Sequence, residues 1–192
     1  MCGGGVALRS VDDNVRPVTA PQISPAAGRR WRLALTAGLA VYGLYLITHV
    51  GDYGLMDSVD LPIHETGHIV FSPFGEFIQF LGGTLFQLIV PSVFVIYFWR
   101  RKDLHSASVV LWWVAQNFWN ISVYVQDARA QELPLVGGGE HDWAYLLGQL
   151  GWLQHDIGIG RAVRLVGIGI FIYSIWLGLT SAGRRVETAA FR

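Results

Sequence analysis

Four long apolar segments alternate with short polar segments along most of the chain. They cover roughly Leu33–Val50, Phe77–Trp99, Ala107–Val125 and Ala162–Thr180. A helix needs about 20 predominantly apolar residues to cross a bilayer, so each segment is long enough for a membrane span. Charged residues make up 15% of the sequence, whereas a typical soluble domain has about 25%. The pattern predicts an all-α fold, a polytopic membrane helix bundle with about four spans.

Two shorter helices are expected beside these spans. The stretch Trp143–Leu153 is too short to cross a membrane, and its tryptophans favour a position at the membrane interface. A second helix is predicted to begin with Asp60 as its N-cap and Pro62 in its first turn, and to end at Ser72-Pro73. About 11 residues at 1.5 Å each give ~16 Å, which is half a bilayer. We therefore expect this helix to enter from the outer surface without crossing.

The basic residues predict the orientation of the spans. Eleven of the 14 Lys and Arg residues precede the first span, separate the second from the third, or follow the fourth. The positive-inside rule places these segments and both termini in the cytoplasm. We expect a membrane domain at 31–185, between a disordered leader at 1–30 and a C-terminal tail at 186–192, in an integral protein of the bacterial inner membrane.

The opposite, outer side collects most of the possible metal ligands. Ten of the 14 acidic residues and five of the six histidines fall in the outer segments. A general excess of acids in outer loops would explain the carboxylates but not the histidines. The net charge is zero and no basic, aromatic-rich face is visible, so nucleic acid is not an expected partner and the lipid bilayer is. The single cysteine, Cys2, excludes a multi-cysteine zinc site.

The strongest chemical motif is His64-Glu65-Thr66-Gly67-His68, which has the form HExxH. On a helix, residues four apart share a face, so both imidazoles can bind one ion. The intervening Glu65 is then beside the metal, where a carboxylate can take a proton from bound water. Ionisable groups in a membrane helix are costly and usually functional. We therefore predict that His64 and His68 are metal ligands, most simply for Zn²⁺, near the outer face.

Zinc needs at least one further protein ligand. Asp127 is the preferred candidate, because Asn117, Asn120, Tyr124 and Asp127 form one polar stripe on the third span that ends at the outer side. His141 is the alternative, because the flexible segment Gly137-Gly138-Gly139 precedes it, although the next residue, Asp142, has the character of an N-cap for the interfacial helix. The remaining alternatives for the third ligand are His155 and Asp156.

The order of these parts resembles the core of the site-2-protease family of intramembrane zinc metalloproteases. The resemblance covers roughly Leu61–Asp127, where an HExxH helix is followed by one span and then by a span that ends in an aspartate. It implies that His64, His68 and Asp127 hold zinc and that Glu65 is the general base. The Asn/Pro-rich motif that the family carries around this aspartate is not present in the sequence.

These observations leave three functional hypotheses. The first is a zinc metallopeptidase that hydrolyses a peptide or amide bond at the outer membrane interface, with Glu65 as the base and His141 or Arg129 stabilising the oxyanion. The second is a non-enzymatic membrane protein that binds a metal or a partner, in which Glu65 has no catalytic role. The third is a membrane oxidase with two irons, a class that usually carries more histidine-rich motifs than one HxxxH.

Overall fold

The computed structural model describes residues 25–133 and 140–184, and within them all regular elements are helical. Two short 3₁₀ turns, Ser72–Phe74 and Leu153–His155, accompany six α-helices. In chain order the α-helices are α1 Pro25–Thr48, α2 Leu55–Phe71, α3 Glu76–Arg100, α4 Leu104–Gln126, α5 Asp142–Gln149 and α6 Asp156–Ser181. The all-α prediction is confirmed. Most of the predicted leader, the segment Gly137-Gly138-Gly139 and the predicted tail lie outside the described residues.

Three of these helices are long and apolar enough to cross a membrane, and they span Ala26–Thr48, Glu76–Arg100 and Leu153–Ser181. Large apolar side chains on their outward faces are exposed, such as Trp31, Val41 and Ile172. Exposed apolar surface of this extent is unfavourable in water and suits a lipid environment. The structure is consistent with a membrane protein. The fourth predicted span corresponds to α4, which is not among the three helices that reach this hydropathy within the described residues.

The central helix of the bundle is α4, which packs along α6 and also contacts α1 and α3. Trp112, Trp119 and Phe171 form one buried apolar cluster between α4 and α6. A second cluster joins α4 to α5 around Val125 and Leu147. Because α4 is covered on most sides, its polar stripe faces other helices: Asn117 is buried, and Asn120 forms hydrogen bonds to α2 and α3.

The helix with the HExxH motif, α2, begins earlier than the sequence predicts. Its N-cap is Gly54, whose amide donates to Asp57 Oδ2 at 2.7 Å. Asp60 is buried in the helix interior and is therefore not the N-cap, and Pro62 lies beyond the first turn. The predicted length of about 11 residues is wrong for the same reason: the 17 residues of α2 extend over about 25 Å. The predicted C-terminal end is confirmed, since a 3₁₀ turn follows Phe71.

The backbones of α2 and α3 approach closely at a pair of glycines. A Cβ added to Gly82 would lie 2.8 Å from the carbonyl oxygen of Gly67, and one added to Gly67 would overlap the carbonyl of Gly82. Only residues without a side chain fit this crossing. The close approach places the histidines of α2 directly over the start of α3.

The helix ends with basic flanks meet at one end of the bundle. Arg32 on α1 donates from Nη1 to the carbonyl of Arg184 after α6, at 2.8 Å. His105, at the start of α4, lies 3.1 Å from the carbonyl oxygen of Arg32 through its Nε2. These contacts bring three segments that the sequence assigns to one side of the membrane into one region of the structure.

Candidate metal centre

Two histidines of α2 and one aspartate of α5 converge on a single point. The Nε2 atoms of His64 and His68 lie 2.8 and 3.2 Å from the same oxygen, Oδ2 of Asp142. In the part of the chain that the structure describes, these are the residues whose ligand atoms group closely enough to hold one metal ion. Three protein ligands, two imidazoles and a carboxylate, with a further position open to water, are the donor set of many catalytic zinc sites.

The geometry fits an ion of this kind. Tetrahedral ligands at ~2.0–2.1 Å from zinc lie ~3.3 Å from one another. The observed separations of 2.8 and 3.2 Å from Asp142 Oδ2 differ from this value by half an ångström or less. These two separations are therefore close to the spacing of ligands that share one zinc ion, and the three ligand atoms lie within 4.8 Å of one another.

The outer nitrogens of both imidazoles are held by acceptors. His68 Nδ1 lies 2.8 Å from the carbonyl oxygen of Gln79, and His64 Nδ1 lies 3.2 Å from Oε1 of Gln87. A proton on each Nδ1 satisfies these contacts and leaves the Nε2 lone pairs directed at the position beside Asp142. This is the tautomer in which histidines bind metals through Nε2, with the other nitrogen donating to a supporting group.

A chain of side-chain hydrogen bonds fixes the direction of the contact to His64. The carboxylate of Asp57 can only accept, so Asn120 donates to it from Nδ2 at 2.6 Å. Asn120 then presents Oδ1 to Gln87 Nε2 at 2.8 Å, and Gln87 is left with Oε1 towards His64. We call this series, from Asp57 through Asn120 and Gln87 to His64, the polar relay. It requires that His64 donates from Nδ1.

With oxygen acceptors beside all four ring nitrogens, the two histidines would both have to be positively charged to satisfy every contact by hydrogen bonds alone. A divalent cation at the Nε2 atoms removes this requirement, because it replaces both of the inner protons. The same oxygen of Asp142 is then a ligand rather than a shared hydrogen-bond acceptor. This donor chemistry is the strongest structural reason to regard the three residues as a metal site.

The electrostatics of the cluster follow from these contacts, which lie outside the three apolar spans. The hydrogen bond to Asp142 raises the pKa of His68 above its ordinary value of 6.5, although burial acts in the other direction. Burial alone would raise the pKa of Asp142, but its hydrogen bonds to His64 and His68 outweigh that effect and hold this pKa below its ordinary range. The carboxylate is thus charged at neutral pH and available to a cation.

Space for the imidazoles depends on Gly83 of α3. A Cβ at this position would lie 2.6 Å from Nε2 of His64 and 2.7 Å from Nε2 of His68. These are the two atoms that point at Asp142. The sequence has glycine at both 82 and 83, but nothing in it shows that Gly83 lies against the candidate ligands.

The predicted general base, Glu65, is solvent-exposed and borders the same cavity as the histidines. Its negative charge also contributes to the raised pKa of His68. Glu65 therefore lies near the cluster without being one of the three converging ligands. This arrangement leaves its carboxylate open to solvent at the edge of the cavity that contains the cluster.

The other predicted ligand, Asp127, lies at the end of α4 in a different environment. Its carboxylate accepts from the amides of Glu132 and Leu133 at 3.0 and 3.1 Å, and its Oδ2 lies 3.4 Å from His141 Nε2. The structure brings Asp142 to the two histidines, and Asp127 makes none of the contacts recorded for Asp142. A ligand role for Asp127 stays a prediction.

His141 lines the cavity and is almost completely buried. It is the N-cap of α5, where its Nδ1 accepts from the amide of Ala144 at 3.3 Å. The prediction that Asp142 caps this helix is therefore wrong: Asp142 is the first helical residue, and its side chain extends to α2. The helix also ends at Gln149, short of the predicted Leu153, because Gly151 adopts a left-handed conformation with φ of 69°.

The remaining candidates have other partners. Asp156 forms a two-pronged ion pair with Arg129, with nitrogen–oxygen distances of 2.8 and 2.9 Å. This pairing occupies the guanidinium that the sequence suggested for an oxyanion. His155 is exposed in the 3₁₀ turn before α6. His49, which is also exposed, stacks on Tyr45 with 4.2 Å between ring centres.

A cavity of about 450 Å³ connects the cluster to the interior of the bundle. It is large enough for a small organic molecule or a short peptide segment. Its lining is rich in carboxylates and amides, and within the described residues it includes neither Lys nor Arg. Comparison of the chain with protein-family models, with curated proteins and with solved structures finds no match.

Proposed function

We propose that the protein is an integral membrane zinc metallohydrolase that cleaves a peptide or amide bond at the outer membrane interface. The observation that carries the proposal is the convergence of His64 Nε2 and His68 Nε2 on one oxygen of Asp142. We assign the third ligand position to Asp142 because it alone, in the described part of the chain, makes both contacts. The HExxH form of the segment from His64 to His68 supports the same reaction class.

The proposed reaction uses Glu65 as the general base. Zinc bound at the three ligands would lower the pKa of a bound water to about 7 and polarise the substrate carbonyl. Glu65 takes the proton from the attacking water and passes it to the leaving amine. The polar relay holds the ring of His64 in one orientation during this step, and the cavity receives the part of the substrate next to the scissile bond.

We place α1, α3, α4 and α6 across the bilayer. The ends of these helices that are flanked by lysine and arginine then lie in the cytoplasm. The end of α4 that carries its polar stripe faces α2 and α3 rather than lipid, which supports its inclusion as a span despite its lower hydropathy. The metal centre then lies towards the outer side, with α2 entering partway and α5 at the interface.

The first experiment measures zinc in the full chain purified in detergent, by inductively coupled plasma mass spectrometry. We expect one zinc per chain in the wild type, less than a tenth of that in Asp142→Ala, and full occupancy in Asp127→Ala. Asp127→Ala is a matched control, since it removes the same side chain from the aspartate that the sequence favours. Loss of zinc in Asp127→Ala with retention in Asp142→Ala would overturn our assignment.

The second experiment tests catalysis with a mixture of quenched fluorescent peptides of randomised sequence. We expect Glu65→Gln to retain zinc and to lose hydrolysis, because the amide cannot accept the proton. Equal hydrolysis by wild type and Glu65→Gln would remove Glu65 from the mechanism.

The second candidate function is metal binding without catalysis. The observation in its favour is the excess of carboxylates around the cavity, where Asp52, Asp57 and Glu140 join the cluster with no lysine or arginine among the described lining residues. Such a surface attracts divalent cations. Stoichiometric but rapidly exchanging zinc, without hydrolysis of any peptide in the mixture, would favour this function.

A further inference from the structure

The inner end of the cavity contains a buried carboxylate with an unused oxygen. Asp60 lies one helical turn before His64 on the same face of α2, and its residue is 2% exposed. Its Oδ1 accepts from the indole Nε1 of Trp113 at 2.8 Å. Its Oδ2 is buried and has no hydrogen-bond partner among the residues that the structure describes. A buried carboxylate oxygen in this condition is costly unless something pairs with it.

A second unused acceptor is next to Asp60. Gln116 of α4 is 4% exposed and lines the same cavity. Burial raises the pKa of Asp60 to about 6, and the nearby donor groups of Trp113 and Gln116 oppose this rise. The Oε1 atom of Gln116 is buried and has no partner within the described chain. The nearby Trp119 also has an unpartnered indole nitrogen, but this atom faces the position of Gly167 on α6. The unused groups between Asp60 and Gln116 are therefore acceptors.

The charge of the cavity indicates what these acceptors bind. The lining contains six carboxylates, from Asp52, Asp57, Asp60, Glu65, Glu140 and Asp142, and no lysine or arginine among its described residues. Asp57 is already occupied by the amides of Gly54 and Asn120. Asp60 belongs to no group of three His, Cys, Asp or Glu that could hold a metal, within the described residues. A primary ammonium, which carries a positive charge and three N–H donors, matches unused oxygens better than a bare metal ion does.

We propose that Asp60 and Gln116 form a subsite for a primary ammonium group, so that the molecules this protein binds or cleaves carry a cationic amine that enters the bundle ahead of the scissile carbonyl. Asp60 precedes His64 by ~6 Å and His68 by ~12 Å along the helix axis. A ligand that reaches from the metal centre to Asp60 therefore needs a chain of several atoms between its carbonyl and its amine. The link to the scissile bond rests on the proposed hydrolase, whereas ammonium binding at Asp60 does not.

The test compares two pairs of probes by isothermal titration calorimetry on the full chain in detergent. The first pair is 6-aminohexanohydroxamic acid and hexanohydroxamic acid, added to zinc-loaded protein. Both carry a metal-binding group, and they differ in the terminal amine. The second pair, hexylammonium and 1-hexanol, is added to protein treated with a chelator, so that binding does not require metal.

We expect the amine-bearing member of each pair to bind at least about ten-fold more tightly, as a charge-assisted hydrogen bond in a buried site provides. Asp60→Asn keeps an acceptor for Trp113 and removes the charge, and it should abolish the preference. Asp52→Asn removes the same charge from an exposed residue of the same cavity, and it should preserve the preference. Gln116→Leu is a second variant that leaves the contact between Asp60 and Trp113 intact, and it should reduce the preference.

The outcomes separate the two proposals. If neither hydroxamate binds but chelated protein prefers hexylammonium in an Asp60-dependent manner, the zinc function fails and the ammonium subsite stands. If both hydroxamates bind the wild type equally and hexylammonium shows no advantage over 1-hexanol, the subsite is wrong and the zinc centre is supported. A preference that survives in Asp60→Asn also overturns the subsite.

Discussion

Replacement of Gly83 by alanine tests the metal centre through the space between helices rather than through a ligand. The new Cβ would lie 2.6 Å from His64 Nε2 and 2.7 Å from His68 Nε2. Ordinary contacts of this kind begin near 3.5 Å, so each ring has to retreat by about 0.8 to 0.9 Å. Metal–ligand distances tolerate only about ±0.2 Å. At least one imidazole therefore leaves coordinating distance.

We expect Gly83→Ala to lower the zinc affinity by at least about 100-fold, the upper end of the effect of changes outside the ligand set. The fold should persist, because the atoms in the way are the ends of side chains and alanine favours a helix over glycine by about 1 kcal/mol. The assay is competition for zinc with a chelator of known affinity, together with circular dichroism to confirm helicity. The matched control is Gly169→Ala on α6, where an added Cβ meets nothing within 4 Å. Wild-type zinc affinity in Gly83→Ala would refute the described geometry.

Three further predictions concern the relay, the helix crossing and pH. Gln87→Leu removes the acceptor of His64 Nδ1 and leaves Oδ1 of Asn120 unpaired. We therefore expect a stability loss of about 1–3 kcal/mol in chemical denaturation and about 10–100-fold weaker zinc binding. Unchanged zinc affinity would show that the polar relay does not support the site. Gly67→Ala forces a Cβ into the backbone of α3 and should destabilise the protein by about 1–3 kcal/mol or more, whereas Gly169→Ala should not. In metal-free protein the contact of charged His68 with Asp142 contributes fully to fold stability below the ordinary pKa of 6.5, and this contribution is lost as pH rises through the raised pKa. Zinc binds only the neutral imidazole, so the zinc affinity should rise over the same pH interval. Thermal unfolding of metal-free protein and zinc competition, each at pH 6 and pH 8, measure the two trends. If stability and zinc affinity both rise or both fall between these pH values, the prediction is wrong.

The long helices were predictable because their signal is local. A run of apolar residues of sufficient length specifies a helix that suits a bilayer regardless of its neighbours, and α3 and α6 both contain the predicted segments. The start of α2 was not predictable in the same way. Asp60 and Pro62 are residue types that often begin a helix. In the structure, however, Asp57 accepts from the amide of Gly54 and caps the helix about one turn earlier. Asp60 instead accepts a hydrogen bond from Trp113 inside the bundle.

The metal site shows the same limit. His64 and His68 were found because a single helical turn brings them together. The third ligand comes from a segment more than 70 residues after α2 in the chain. Its position depends on the path of the intervening loop, which hydrophobic periodicity does not predict. The sequence drew attention to the segment around His141, and one residue further along it is Asp142, which makes the contact. An acid in the first turn of the helix after this loop is the signal that was available.

The double use of Asp57 has a mechanical consequence. One carboxylate oxygen of Asp57 caps the start of α2, and the other begins the series of hydrogen bonds that ends on His64, about 10 Å further along the helix from Asp57. The start of α2 and the orientation of the His64 imidazole thus both depend on Asp57. A substitution at Asp57 is therefore expected to disturb both the start of this helix and the orientation of the His64 ring.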